Sequence, residues 1–146
     1  MAERKLYTAE ATVTGGRAAG HGVSADGALD VHLRMPAELG GEGGGTNPEQ
    51  LFAVGYAACF EGAIGTVGRR ERVEVGDVSI DSRVSLVATD ERVYTVAVEL
   101  DVTLPQVSDP EQAVRIVSDA HKVCPYSNAT RGNIDVRLTA NGEPVS

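Results

Sequence analysis

The segment NPEQLFAVGYAACFEGAIGTVG, residues 47–68, constrains the fold more than any other. Asn47 is a good N-cap. Pro48 suits the first helical position, and Gln50 stands third, where its side chain can bond back to the cap. In the run that follows, Leu51, Phe52, Val54, Ala57, Ala58, Phe60, Ile64 and Val67 lie on nearly all sides of a helix. A helix that is apolar all round is buried all round. Glu61 and several small or polar residues interrupt the run, so it reads as a core helix and not as a membrane span.

The rest of the chain has to supply its cover. KLYTAEATVT (5–14) alternates loosely and predicts a strand, followed by a turn at Gly15-Gly16. In ALDVHLRM (28–35), Leu29, Val31, Leu33 and Met35 share one face and Asp30, His32 and Arg34 the other. VSIDSRVSLVA (78–88) and RVYTVAVELDVTL (92–104) read as two long strands joined by a short turn. A second capped helix opens at Asp109-Pro110-Glu111-Gln112 and runs to about Lys122. NIDVRLTA (133–140) closes the chain with Ile134, Val136 and Leu138 inward. Long strands in direct succession favour antiparallel pairing and an α+β fold. A length of 146 residues suits one domain, 1–146. One antiparallel sheet covers one side of the 47–68 helix. A second copy of the chain is the simplest cover for the remainder, so an obligate homodimer is expected.

Composition narrows the function. The formal charge is −8 and no Lys/Arg cluster is present, which argues against nucleic-acid or membrane partners. MAERKLYTAEATVTGG lacks the apolar stretch of a signal peptide, so a cytoplasmic location is expected. GGEGGGTN has no Lys-Ser/Thr and no strand–helix crossover around it, so it reads as a flexible connection and not a phosphate loop. His121 and Cys124 have a metal-like spacing, but no second pair accompanies them, and zinc needs three or four ligands. No metal is expected.

Two cysteines remain, Cys59 and Cys124. In a reducing compartment they are free or redox-active more readily than a permanent bridge. Cys59 falls within the apolar helix and could simply fill core space. Cys124 follows a helix end and precedes Pro125, so the chain breaks there. A rigid thiol and a mobile thiol are what a peroxidatic and resolving pair would need.

GGRAAG (15–20), GTNPEQLFAVGYAACFEGAI (45–64) and HKVCPYSNATRGN (121–133) resemble the signature blocks of the organic hydroperoxide resistance proteins, within the superfamily that includes the osmotically inducible peroxidases. The blocks span most of the chain. The resemblance implies a thiol-dependent peroxidase and an intertwined α+β homodimer, with antiparallel sheets packed around long central helices. It further implies a cycle in which Cys59 is peroxidatic, Cys124 is resolving, and Arg17 and Glu49 support the first. It implies no bound cofactor, and a lipoyl dithiol, on a lipoylated protein, as external reductant. Leu51, Phe52 and Phe60 are expected to line an apolar entrance for alkyl or lipid hydroperoxides. The rival readings are an osmotically inducible-type peroxidase of broader peroxide range and a non-enzymatic thiol redox sensor.

Physical chemistry adds a demand to that cycle. The thiolate attacks the O–O bond, and burial in an apolar helix disfavours the thiolate. A permanent cation has to outweigh that burial, and Arg17 is the candidate. Glu49, which would hold it, is ten residues before Cys59, about 15 Å along one helix. Two antiparallel copies crossing near Val54-Gly55 would bring Glu49 of one chain beside Cys59 of the other, with Gly55 allowing close approach.

Overall fold

A computed structural model describes residues 3–146, and the chain divides into two compact units, Met1–Leu51 and Phe52–Ser146. The first unit is a three-stranded antiparallel sheet in the order β1 (Ala11–Thr14), β2 (Gly20–Ser24), β3 (Asp30–Arg34). β1 is shorter than the predicted 5–14 strand. Its partner β2 ends at Ser24, which pairs with Ala11, and beyond that pair only the Ala25 N–H reaches the Glu10 carbonyl before the ladder stops. Between β1 and β2 the chain makes a single helical turn, α1 (Gly16–Ala19). On β3, Leu33 is buried as the alternation predicted, whereas Leu29, expected on the same face, lies before the strand and is exposed.

The long helix α2 (Pro48–Glu71) starts as its sequence requires, with Asn47 Oδ1 accepting from the Gln50 N–H at 2.9 Å. Most of it belongs to the second unit. There β4 (Ser79–Ala88) and β5 (Tyr94–Thr103) form the expected antiparallel hairpin, in register from Ser79↔Thr103 to Ala88↔Tyr94. The helices α3 (Pro110–Val123) and α4 (Pro125–Thr130) follow, then β6 (Val136–Ala140) and β7 (Glu143–Val145). β6 pairs parallel to β5, so the sheet is mixed and not purely antiparallel. The reason is the connection: α3 and α4 carry the chain back across the sheet, and a crossover returns a strand in the same direction.

The core of this unit lies where the inner face of β5 and β6 meets α2 and α3. Val98, Leu100 and Val102 from β5 and Leu138 from β6 pack with Tyr56, Phe60, Ile64 and Val67 from α2. α3 adds Ala113, Ile116, Val117 and Ala120, the i, i+3, i+4, i+7 stripe of an amphipathic helix. By length and composition alone α2 could cross a bilayer. Here its Tyr56–Val67 face is core, while Val54 is 71% exposed and Ala58 and Gly62 are open along the same side. One sheet thus leaves part of the helix uncovered in the single chain, as its all-round apolarity predicted. Gly55 is not on that open side. A Cβ there would lie 3.1 Å from Tyr126 Oη, so Gly55 makes room for a side chain of its own unit.

Candidate active site

The sequence-nominated residues form two pairs, one in each compact unit. In the first unit Arg17 projects from α1. The turn that carries it depends on glycine. Gly15 has φ 79°, and a Cβ on Gly20 would lie 2.0 Å from the Gly16 carbonyl oxygen and 2.7 Å from that of Thr14. No side chain fits there, so the chain can leave β1, make one turn and enter β2 only with Gly20. Arg17 Nη1 donates to Glu49 Oε1 at 3.0 Å and Nη2 to Oε2 at 3.1 Å. This is the two-pronged guanidinium–carboxylate fork, which fixes the plane of the arginine as well as its place. Glu49 stands in the first turn of α2, where the helix dipole favours a carboxylate.

In the second unit α2 and the α3–α4 junction bring the cysteines together. Both thiols are free, and Cys124 Sγ lies 3.7 Å from Cys59 Sγ. Cys59 is half-buried and Cys124 fully buried. Cys124 ends α3 and caps α4 at once. Its N–H reaches the Ala120 carbonyl, and its sulfur accepts from the Ser127 N–H at 3.5 Å. The break that Pro125 predicted is therefore real, but its cysteine is enclosed.

Burial pushes the Cys59 thiol above its ordinary pKa; a hydrogen bond with the Tyr126 backbone pulls the other way, and the neighbouring Cys124 adds to the rise. Within this unit the balance favours the neutral thiol.

Phe52 is half-buried and stacks on Tyr56, with ring centroids 5.9 Å apart. Tyr126, 39% exposed, leans against both rings. Phe60 is wholly enclosed in the core, with no surface open to a ligand. Leu51 is half-buried in the first unit. Tyr126 was missed by the sequence reading, as were the residues beneath Cys124. There Tyr56 Oη lies 2.8 Å from Ser127 Oγ and 3.1 Å from Thr130 Oγ1. Ser127 Oγ also lies 2.8 Å from His121 Nδ1. His121 is thus a member of a hydroxyl network; burial first, then the Arg131 charge, lowers its pKa. The one available signal was the density of hydroxyl residues in YSNAT directly after a capping cysteine. Among the described residues, no group of three or more His, Cys, Asp or Glu side chains is placed to hold a metal.

Residues 41–139 match the family model described as OsmC-like protein. The organic hydroperoxide resistance protein of Xanthomonas axonopodis pv. citri is 54% identical over 94% of this chain and 96% of its own length. The chain belongs to the OsmC-like family, in its organic hydroperoxide resistance branch. Solved structures agree. An organic hydroperoxide resistance protein from Legionella pneumophila superposes with a TM-score of 0.88 at 51% identity, covering 93% of this chain and 98% of that one. One from Vibrio cholerae, with captopril bound in one of its active sites, has a TM-score of 0.91 at 41% identity, covering 97% and 96%. The α+β fold expected from the sequence is the fold of this branch. The OsmC-like match takes in Glu49, Cys59 and Cys124, while Arg17 lies before it.

Proposed function

We propose that the chain is a thiol-dependent peroxidase that reduces organic hydroperoxides, with Cys59 as the attacking sulfur and Cys124 as the resolving one. The observation that carries the reading is the approach of two free thiols to 3.7 Å in a protein of the organic hydroperoxide resistance branch. Structural cysteines have no need of a neighbour left unbonded at that range. The Cys59 thiolate attacks the distal peroxide oxygen. An S–O bond forms, the O–O bond breaks, and the leaving alkoxide takes a proton and departs as the alcohol. Cys59 is then a sulfenic acid. Cys124 attacks its sulfur; an S–S bond forms, the S–O bond breaks, and the hydroxide leaves as water with the Cys124 proton. An external dithiol reduces the disulfide by exchange. A lipoyl dithiol is the proposed reductant, and no bound cofactor takes part.

Arg17, held flat by Glu49, is the proposed cation. At 4 Å and an effective dielectric of about 20, a unit charge is worth roughly 4 kcal/mol, or about three pKa units. That reverses a moderate burial penalty. The open Val54, Ala58 and Gly62 side of α2 supports a homodimer, and we propose that the partner's Glu49 serves each Cys59. Phe52 and Tyr126 supply apolar surface for the carbon of an alkyl or lipid hydroperoxide, which hydrogen peroxide lacks. The proposed location is the cytoplasm, where dithiols are kept reduced.

The test is peroxide consumption by substoichiometric protein, with cumene hydroperoxide beside hydrogen peroxide and dihydrolipoamide beside thioredoxin and glutathione. Many turnovers with the organic peroxide and dihydrolipoamide support the reading. A single oxidation per chain makes it a sensor, and equal rates on both peroxides place it with the broader-range peroxidases. Cys124→Ser should complete one turnover and stop; sustained cycling in that variant refutes its resolving role.

A further inference from the structure

We propose that Tyr56, acting through Ser127 and Thr130, is a positioning residue for closure of the Cys59–Cys124 disulfide. The inference rests on the resolving role proposed for Cys124. α4 has six residues, too few for its own ladder to hold it. Ser127 in its first turn and Thr130 at its end both reach one atom, Tyr56 Oη, at 2.8 and 3.1 Å. Tyr56 stands three positions before Cys59 on α2, on the neighbouring turn. A single phenol therefore fastens the short helix that carries Cys124 to the stretch of helix that carries Cys59. His121 steadies the arrangement from α3, and the Ser127 N–H contacts Cys124 Sγ directly.

The fastening is internal. Tyr56 and Ser127 have no exposed surface and Thr130 is 7% exposed, so water does not replace a lost partner readily. The nearby aromatic packing of Phe52, Tyr56 and Tyr126 needs only the ring. The phenol oxygen is the part that reaches α4. Its consequence is geometric. A disulfide is about 2.05 Å long, so the sulfurs have to close by roughly 1.6 Å from their present separation. A misplacement of about 1 Å can slow a reaction about a hundredfold. Releasing α4 lets Cys124 sample positions farther from Cys59, and the sulfenic acid then waits. While it waits, a second hydroperoxide can oxidise it to sulfinic acid: one oxygen transfers to sulfur, the O–O bond breaks and another alcohol leaves.

The experiment uses the full-length protein without reductant. One equivalent of cumene hydroperoxide is added, the reaction is quenched at intervals, and Cys59 sulfenic acid, sulfinic acid and disulfide are counted by mass spectrometry. A second series uses excess peroxide. Tyr56→Phe should lose less than threefold in the first oxidation, close the disulfide about tenfold more slowly, and raise the sulfinic share several-fold. Thr130→Val should show a weaker form of the same pattern, and Thr130→Ser, which keeps the hydroxyl, should restore closure. The two Thr130 variants decide the matter if Tyr56→Phe does not fold. Wild-type closure rates and sulfinic share in Tyr56→Phe and Thr130→Val overturn the positioning role alone. A wild-type protein that forms no Cys59–Cys124 disulfide overturns the underlying reading as well.

Discussion

Replacing Gly20 with alanine tests whether the glycine-built turn exists to present Arg17. The added Cβ would meet the Gly16 carbonyl oxygen at 2.0 Å and the Thr14 oxygen at 2.7 Å, both backbone atoms. Neither can rotate aside, so the turn itself has to open by more than about 1 Å, and overpacking of this kind costs about 1–3 kcal/mol. Arg17 would then leave the fork it makes with Glu49 at 3.0 and 3.1 Å. In the proposed site, retreat of the guanidinium from about 4 to 8 Å halves its effect on Cys59 from roughly 4 to 2 kcal/mol. That is about 1.5 pKa units, or roughly a fifteenfold fall in the thiolate fraction at pH 7 for a sulfur half ionised there. The assay is the second-order rate of the first oxidation by cumene hydroperoxide, followed by stopped flow. Gly16→Ala is the control. Gly16 also has positive φ, 69°, but nothing lies within 4 Å of its missing Cβ, so only about 1–2 kcal/mol of backbone strain is added. Its rate should stay within a few-fold of wild type. Loss of less than threefold in Gly20→Ala, or an equal loss in both variants, refutes the reasoning.

Three further outcomes are expected. Mixed dimers of Cys59→Ser and Glu49→Gln chains should recover peroxidase activity that neither homodimer has; no recovery argues against shared sites. Asn47→Ala should destabilise the protein by about 1 kcal/mol, read from the urea midpoint, because the Gln50 N–H loses its cap acceptor. His121 has its pKa lowered in the fold, so the unfolded chain takes up the proton first. Its contribution to stability is whole above the ordinary histidine value of about 6.5 and drains as pH falls from there toward the folded pKa. The urea midpoint should therefore drop as pH falls below about 6.5, and drop less in His121→Gln.

The parts of this fold that the sequence made legible are those governed by local chemistry. Asn47-Pro48 and Asp109-Pro110 mark helix starts because capping is a contact among near neighbours, and both caps are present. The face of β5 through Val98, Leu100 and Val102 follows from alternation alone. What escaped is set by contacts between distant residues. Parallel pairing of β5 with β6 depends on the path taken by α3 and α4, and β2, with two glycines among its five residues, shows little alternation. The candidate site divides in the same way. The cysteines and the Arg17–Glu49 pair stood out by residue type and family resemblance. Tyr126 and the Tyr56–Ser127 contact, with partners 71 positions apart, carry no local signature. Gly55 illustrates the difficulty: a small residue in a helix promises close approach, but only the fold says to what, and here it is Tyr126.

The most direct measurement is the titration of Cys59 itself, by the pH dependence of its alkylation rate in the assembled wild-type protein and in Arg17→Met. In the single chain, burial holds this thiol above the ordinary cysteine value. The account predicts that the wild-type sulfur is at least half ionised at pH 7, and that removing the guanidinium moves its midpoint above about 8.5. A wild-type sulfur still protonated at pH 8, or identical curves for the two proteins, would contradict it.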